Sequence, residues 1–164
     1  MRILVLGVGN ILLTDEAIGV RIVEALGQRY ALPEYVEILD GGTAGMELLG
    51  DMANRDHLII ADAIVSKKRE PGTLMVLRDD EVPALFTNKI SPHQLGLADV
   101  LSALRFTDEF PKKLTLVGVI PQSLEPHIGL TPTVEAMIEP ALEQVLAALR
   151  ESGVEATPKE PTHG

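Results

Sequence analysis

Ile3-Leu4-Val5-Leu6 is an unbroken apolar run that stops at Gly7 and Gly9. A run without polar alternation predicts a strand buried on both faces. Thr14 reads as the N-cap of a following helix, in which Ile18, Ile22, Ala25 and Leu26 fall at helical spacing. Residues 35–39 form a second strand-like run, closed by Asp40-Gly41-Gly42, and a short helix carrying Leu48, Leu49 and Met52 should follow. Leu58-Ile59-Ile60-Ala61 is a third buried strand, ending at Asp62. Strand, helix, strand, helix, strand predicts parallel pairing through crossover helices, hence an α/β layered domain.

The next link differs. Lys67-Lys68-Arg69-Glu70-Pro71-Gly72 is a short polar turn before residues 73–77. So short a connection suits a hairpin, which predicts one antiparallel strand in a mixed sheet. Ser91-Pro92-His93-Gln94 carries two helix-start signals, Pro at the first helical position and a Ser-x-x-Gln capping box. Leu97, Val100, Leu101 and Leu104 continue on one face, and residues 114–120 read as the last strand. Thr131-Pro132 opens a final helix with an apolar stripe from Val134 to Leu149, and Pro140 inside it should bend it. After Gly153 the sequence turns polar and Pro-rich. Residues 1–153 therefore read as one domain and 154–164 as a disordered tail.

A length of 164 residues fits one domain. A domain of that size buries roughly 70% of the surface of its unfolded chain and needs no staples. Cysteine is absent, which excludes disulfides, thiolate metal ligands and a Cys nucleophile. The formal charge of -10 argues against nucleic acid and anionic membranes as partners, because phosphate binding needs clustered Lys and Arg. No apolar run is long enough to span a bilayer. The apolar N-terminus is cut short by glycines and reads as a buried strand rather than a signal peptide. The expectation is a soluble cytoplasmic protein.

In open α/β sheets, ligands bind beyond the carboxyl ends of the strands. Glu16, in the first turn after strand one, Asp62, closing strand three, and His93, in the first turn of the helix opened by Ser91, should meet there. Two carboxylates and an imidazole suit Zn²⁺, Ni²⁺, Mn²⁺ or Fe²⁺. Helix-start positions favour an ionised Glu16 and a neutral His93 able to ligate. Each has a plainer reading: Glu16 as a dipole complement, Asp62 as a loop cap, His93 as a structural histidine. The weight comes from all three falling on one edge.

Gly7-Val8-Gly9-Asn10-Ile11-Leu12 invites a dinucleotide reading, but Leu12 stands where the third glycine belongs and two acids follow where a phosphate would sit. Asp40 either holds an ordinary turn or places a carboxylate in the cleft as a general base or substrate contact. Lys67, Lys68 and Arg69, the densest basic cluster, either face water or help dock a partner. Gly-x-Ser-x-Gly and His-Glu-x-x-His are both missing.

Taken together, Gly7-x-Gly9-Asn10-x-Leu12-x-x-Asp15-Glu16-x-x-Gly19, Asp40-Gly41-Gly42-Thr43, Asp62, His93-Gln94-x-Gly96 and Gly118-Val119-x-Pro121 resemble the hydrogenase maturation proteases, from Met1 to about Leu149. Ala17-Ile18 stands where many relatives have Gly and an aromatic, which bears on subtype. The resemblance implies a three-layer sandwich, a mixed and mostly parallel five-stranded sheet with helices on both faces. It implies an endopeptidase, of a family classed as aspartyl-type, that removes a C-terminal extension from a nickel-iron hydrogenase large-subunit precursor after nickel insertion. In that family the residues matching Glu16, Asp62 and His93 bind the substrate-borne nickel, a site that Cd²⁺ or Zn²⁺ could also occupy. The residue matching Asp40 is linked to cleavage or specificity. A monomer is expected. Two rivals remain: a nickel-binding chaperone without peptidase activity, and a nucleotide-binding α/β module.

Overall fold

The computed structural model describes residues 1–87 and 92–159, with only the backbone of residues 87, 92 and 93. In chain order the elements are β1 (Ile3–Val8), α1 (Ile18–Arg29), β2 (Tyr30–Ala31), β3 (Val36–Gly42), α2 (Leu49–Met52), β4 (His57–Ala63) and β5 (Leu74–Arg78). Then come α3 (Glu81–Thr87), α4 (Pro92–Phe106), β6 (Lys113–Val119), α5 (Pro132–Glu135), α6 (Ile138–Glu151) and β7 (Thr157–Pro158). Five strands form one sheet in the order β3-β1-β4-β6-β5, parallel except for the antiparallel pair of β5 with β6.

Successive side chains of a strand point to opposite faces, so continuous apolar runs supply two cores at once. Ile3, Val5, Ile59, Ala61 and Val117 pack with Ile22, Leu26, Leu142 and Leu149 of α1 and α6. Leu4, Leu6, Leu58, Ile60 and Leu116 pack on the other face with Met52, Phe86, Leu97 and Leu101 of α2, α3 and α4. This is the expected three-layer arrangement.

Four local expectations are corrected. The short turn after β4 does not make a hairpin with it, because β6 lies between β4 and β5. The connection instead crosses the end of β6, held by Ile64 N–H to the Val119 carbonyl and Gly72 N–H to the Ile120 carbonyl. The last helix is not bent by Pro140. It breaks earlier, between α5 and α6, and Pro140 falls in the first turn of α6, where its missing N–H costs nothing. Thr14 is not a cap; its hydroxyl donates to the Glu125 carbonyl. Of the tail expected after Gly153, residues 154–159 pack onto the domain, with Val154 buried and β7 paired with β2, while residues 160–164 lie outside the described residues.

The amino ends of the strands are closed by polar groups with no part in the opposite edge. Buried Arg55 donates to both carboxylate oxygens of Glu37 and to the Asp51 carbonyl, and it holds Glu37 below the usual carboxylate range. His57 is buried between the Ser152 and Thr115 hydroxyls, at 2.7 and 2.8 Å. Burial, and then the nearby Lys113 charge, lower its pKa from 6.5 to about 4. The unfolded chain takes up this proton below pH 6.5, whereas the folded chain refuses it until about pH 4. His57 therefore contributes stability that is complete above pH 6.5 and lost as pH falls through that window. Urea midpoints measured against pH should fall more steeply between those limits for the native chain than for His57→Gln.

Candidate functional site at the carboxyl edge of the sheet

Beside β1, the strand order reverses: β3 lies on one side and β4 on the other. Such a switch point opens a crevice beyond the carboxyl ends of the strands. Glu16 stands at one side of it, in the 3₁₀ turn Thr14–Ala17 that leads into α1 and packs against β4. The entry is tight. A Cβ on Gly19 would overlap the Ala61 carbonyl oxygen and lie 2.6 Å from that of Val8. Gly9 adopts φ +132°, and a Cβ there would strike the Glu16 carbonyl. Half-buried Glu16 accepts a hydrogen bond from Asn10 N–H through Oε1 at 3.1 Å.

The loop between β1 and α1 spends its amides on itself and its neighbours. Gly9 N–H donates to Gly42, Asn10 to Glu16, Leu12 to the Asn10 side chain, Leu13 to the Asn10 carbonyl, Thr14 to His127 and Asp15 to Ser123. A dinucleotide site needs such amides turned toward pyrophosphate. The glycines instead serve close packing, and the nucleotide reading is set aside.

Asp62, the penultimate residue of β4, is buried. Its Oδ1 accepts the Ala63 N–H and its Oδ2 accepts Gln94 Nε2, both at 2.8 Å. Gln94 lies in the first turn of α4, one residue after His93, so the start of α4 is tied to the end of β4. The His93 side chain and Ser91 lie outside the described residues. Among the described residues no three acidic, His or Cys side chains form a metal-holding cluster. Asp40, on the exposed edge strand β3, accepts Gly42 N–H at 2.9 Å, an Asx turn. Thr43 caps no helix; the following 3₁₀ turn begins after Gly45 without a side-chain cap.

Two features were missed in the sequence. Asp15 is fully buried, and its carboxylate accepts the N–H groups of Gln122, Ser123 and Thr131 and the Thr131 hydroxyl. It pins the long loop after β6 onto the turn carrying Glu16. Nothing in the sequence separates Asp15 from its neighbour Glu16, because only the distant loop reveals its partners. The second feature is an apolar rim. Each of the four parallel strands is followed by an exposed apolar side chain: Ile11 and Leu12 after β1, Met46 after β3, Val65 after β4, Leu124 and Ile128 after β6. The loops after β1 and β6 are bridged by the parallel pairing of Leu13 with His127.

A family model described as hydrogenase maturation protease matches residues 20–148. The chain belongs to the hydrogenase maturation protease family. It is 91% identical over 163 residues to the hydrogenase 2 maturation protease of Escherichia coli K12, covering 99% of both chains. It is 49% identical to the hydrogenase expression/formation protein HupM of Azotobacter chroococcum, over 97% of this chain and 77% of that one. Among solved structures, the hydrogenase maturating endopeptidase HybD from E. coli matches with TM-score 0.96 and 92% identity, over 97% of this chain and 98% of that one. The [NiFe] hydrogenase maturation protease HybD from Thermococcus kodakarensis matches with TM-score 0.74 and 26% identity, over 88% and 97%. The chain is thus a hydrolase, an endopeptidase of this family, and no helix among its described residues is long and apolar enough to cross a membrane.

Asp15→Asn should expose what the pinned loop requires. The substituted amide turns a donor toward backbone donors and leaves them short of an acceptor. The expected loss is about 1–3 kcal/mol of unfolding free energy. Urea unfolding measures it, and limited proteolysis should cut first between residues 120 and 131.

Proposed function

We propose that this endopeptidase removes a C-terminal extension from a nickel-iron hydrogenase large-subunit precursor, and that Glu16, Asp62 and His93 read the nickel carried by that substrate. The observation that supports this reading is that the turn bearing Glu16 packs against β4, whose end carries Asp62, while Asp62 accepts a hydrogen bond from Gln94, next to His93 in the first turn of α4. The donor set fits the metal. Two carboxylates and an imidazole suit a borderline cation, and three protein ligands leave positions open for ligands from the substrate. Cd²⁺ or Zn²⁺ fits the same donors. Nickel so held would supply Lewis-acid polarisation of the scissile carbonyl.

The chain's own residues do the rest. Asp62, held by the Ala63 amide and by Gln94, is the carboxylate at the end of β4 that this reading makes a ligand. Asp40 is the aspartate assigned to the scissile peptide, as general base or as a substrate contact. Its exposure and its single bond to Gly42 N–H support this, since the turn occupies Oδ1 and uses no charge. The protein acts in the cytoplasm as a monomer. A chaperone that holds nickel without cutting has no observation in its favour here, and the family is one of endopeptidases.

The test is incubation with a large-subunit precursor, with and without its nickel, followed by mass measurement of the C-terminus beside a pull-down. Asp62→Ala and His93→Ala should neither capture nor cut the loaded precursor. Asp40→Asn keeps the turn acceptor, so it should bind normally and cut about 10²–10⁴-fold more slowly. Circular dichroism checks that each variant folds. A nickel-free precursor cut at the normal rate overturns the checkpoint, and normal cleavage by Asp40→Asn returns Asp40 to the turn.

The apolar rim supports a polypeptide substrate, because exposed aliphatic groups around a polar crevice gain by covering one another with a docked chain. Leu12 and Ile128, 54% and 68% exposed, contribute little to the core. Replacing both with Ser should raise KM for the precursor about tenfold, the loss of roughly 1.4 kcal/mol of contact, with Tm unchanged. An unchanged KM would assign the rim to chance exposure.

A further inference from the structure

Gln94 is 2% exposed, and its amide is fixed. Nε2 gives one hydrogen to Asp62 Oδ2 at 2.8 Å and the other to the Ala63 carbonyl at 2.9 Å. Both partners are acceptors without a proton of their own, so reversing the amide would set Oε1 against two oxygens. Its orientation therefore follows from its neighbours. The consequence is that Oε1 has no hydrogen-bond partner, the only such buried side-chain atom among the described residues.

A buried acceptor without a donor is rare, because it has given up water for nothing in return. An apolar side chain of the same length would fill the space without that cost. A carboxylate in its place would face Asp62 as a like charge, and a hydroxyl is too short to reach both acceptors. The amide is kept for its donor end. That end does two things at once: it fixes the plane of the Asp62 carboxylate, and it ties that carboxylate to the first turn of α4, where His93 precedes Gln94. The capping role expected for Gln94 from the Ser-x-x-Gln pattern is not its role in the fold.

We propose that Gln94 is a positioning residue for the cation site, holding the Asp62 carboxylate in the orientation that receives the metal. The inference rests on Asp62 being a ligand, as argued above. A purely structural role would affect melting and leave cation affinity alone. Partners that orient metal-binding side chains typically change affinity roughly 10–100-fold when removed.

The experiment is calorimetric titration of the full chain with Cd²⁺ alone, in parallel with thermal melts, for the native protein, Asp62→Ala and Gln94→Met. The native chain should bind one Cd²⁺, Asp62→Ala none, and Gln94→Met should bind roughly 10–100-fold more weakly while still melting cooperatively. If Gln94→Met fails to fold, Gln94→Asn, one methylene too short to hold both acceptors, is read in the same way. Affinity within twofold of native in a folded Gln94 variant overturns the positioning role and leaves Asp62 as a ligand. A native chain that binds no Cd²⁺, or Asp62→Ala that binds like native, overturns the ligand assignment and this inference with it.

Discussion

The start of α1 is pressed so closely against the backbones of β1 and β4 that no side chain fits between them. Gly19 lies against the Ala61 and Val8 carbonyls, and Gly7 lies against the Gly19 carbonyl. Gly9 turns the chain with a positive φ beneath Glu16. Because interiors pack near crystal density, a single methyl group at these points would push the helix off the sheet. The distance between Glu16 and the end of β4 is therefore set by three absent side chains. The glycines that suggest phosphate binding are spent on closeness.

Around that contact, buried polar groups tie distant segments of the chain to the carboxyl edge. Asp15 draws the loop after β6 down onto the turn bearing Glu16, and Gln94 draws α4 onto the end of β4. Thr14 holds φ 50°, rarely occupied by a residue other than glycine, and is kept there by bonds to His127 and Glu125. Strain, a buried carboxylate and an orphaned amide oxygen cluster at the crevice. The amino edge holds better-satisfied pairs: Arg55 with Glu37, and His57 between two hydroxyls. The asymmetry matches a fold in which one end is built for stability and the other for chemistry.

For an endopeptidase the crevice is sparing in obvious catalytic equipment. There is no cysteine, and no serine hydrolase or zinc-helix motif. On the same edge, the loops after all four parallel strands expose apolar side chains. Such a surface suits a large polypeptide that brings part of the chemistry with it, and a substrate-borne metal is chemistry of that kind. On the proposed reading, specificity would lie in the demand that rim and ligands be satisfied by the same molecule.

The sequence by itself determined the layered α/β domain. Runs such as Leu58-Ile59-Ile60-Ala61 are apolar at every position, and only a strand covered on both faces needs that. It also put Glu16 just past the end of β1 and Asp62 at the end of β4, because one follows a strand through a helix start and the other closes a strand. Tertiary structure decided what local pattern does not encode. The order of the strands was hidden because β6, distant in sequence, inserts between β4 and β5 and replaces a hairpin that loop length favoured. The roles of Asp15 and Gln94 were hidden for the same reason. One reads as half of an acidic pair and the other as a helix cap, until residues 122–131 and 62–63 come within bonding distance. A hydrogen bond is directional and short, so its partner is fixed only when the whole fold is closed.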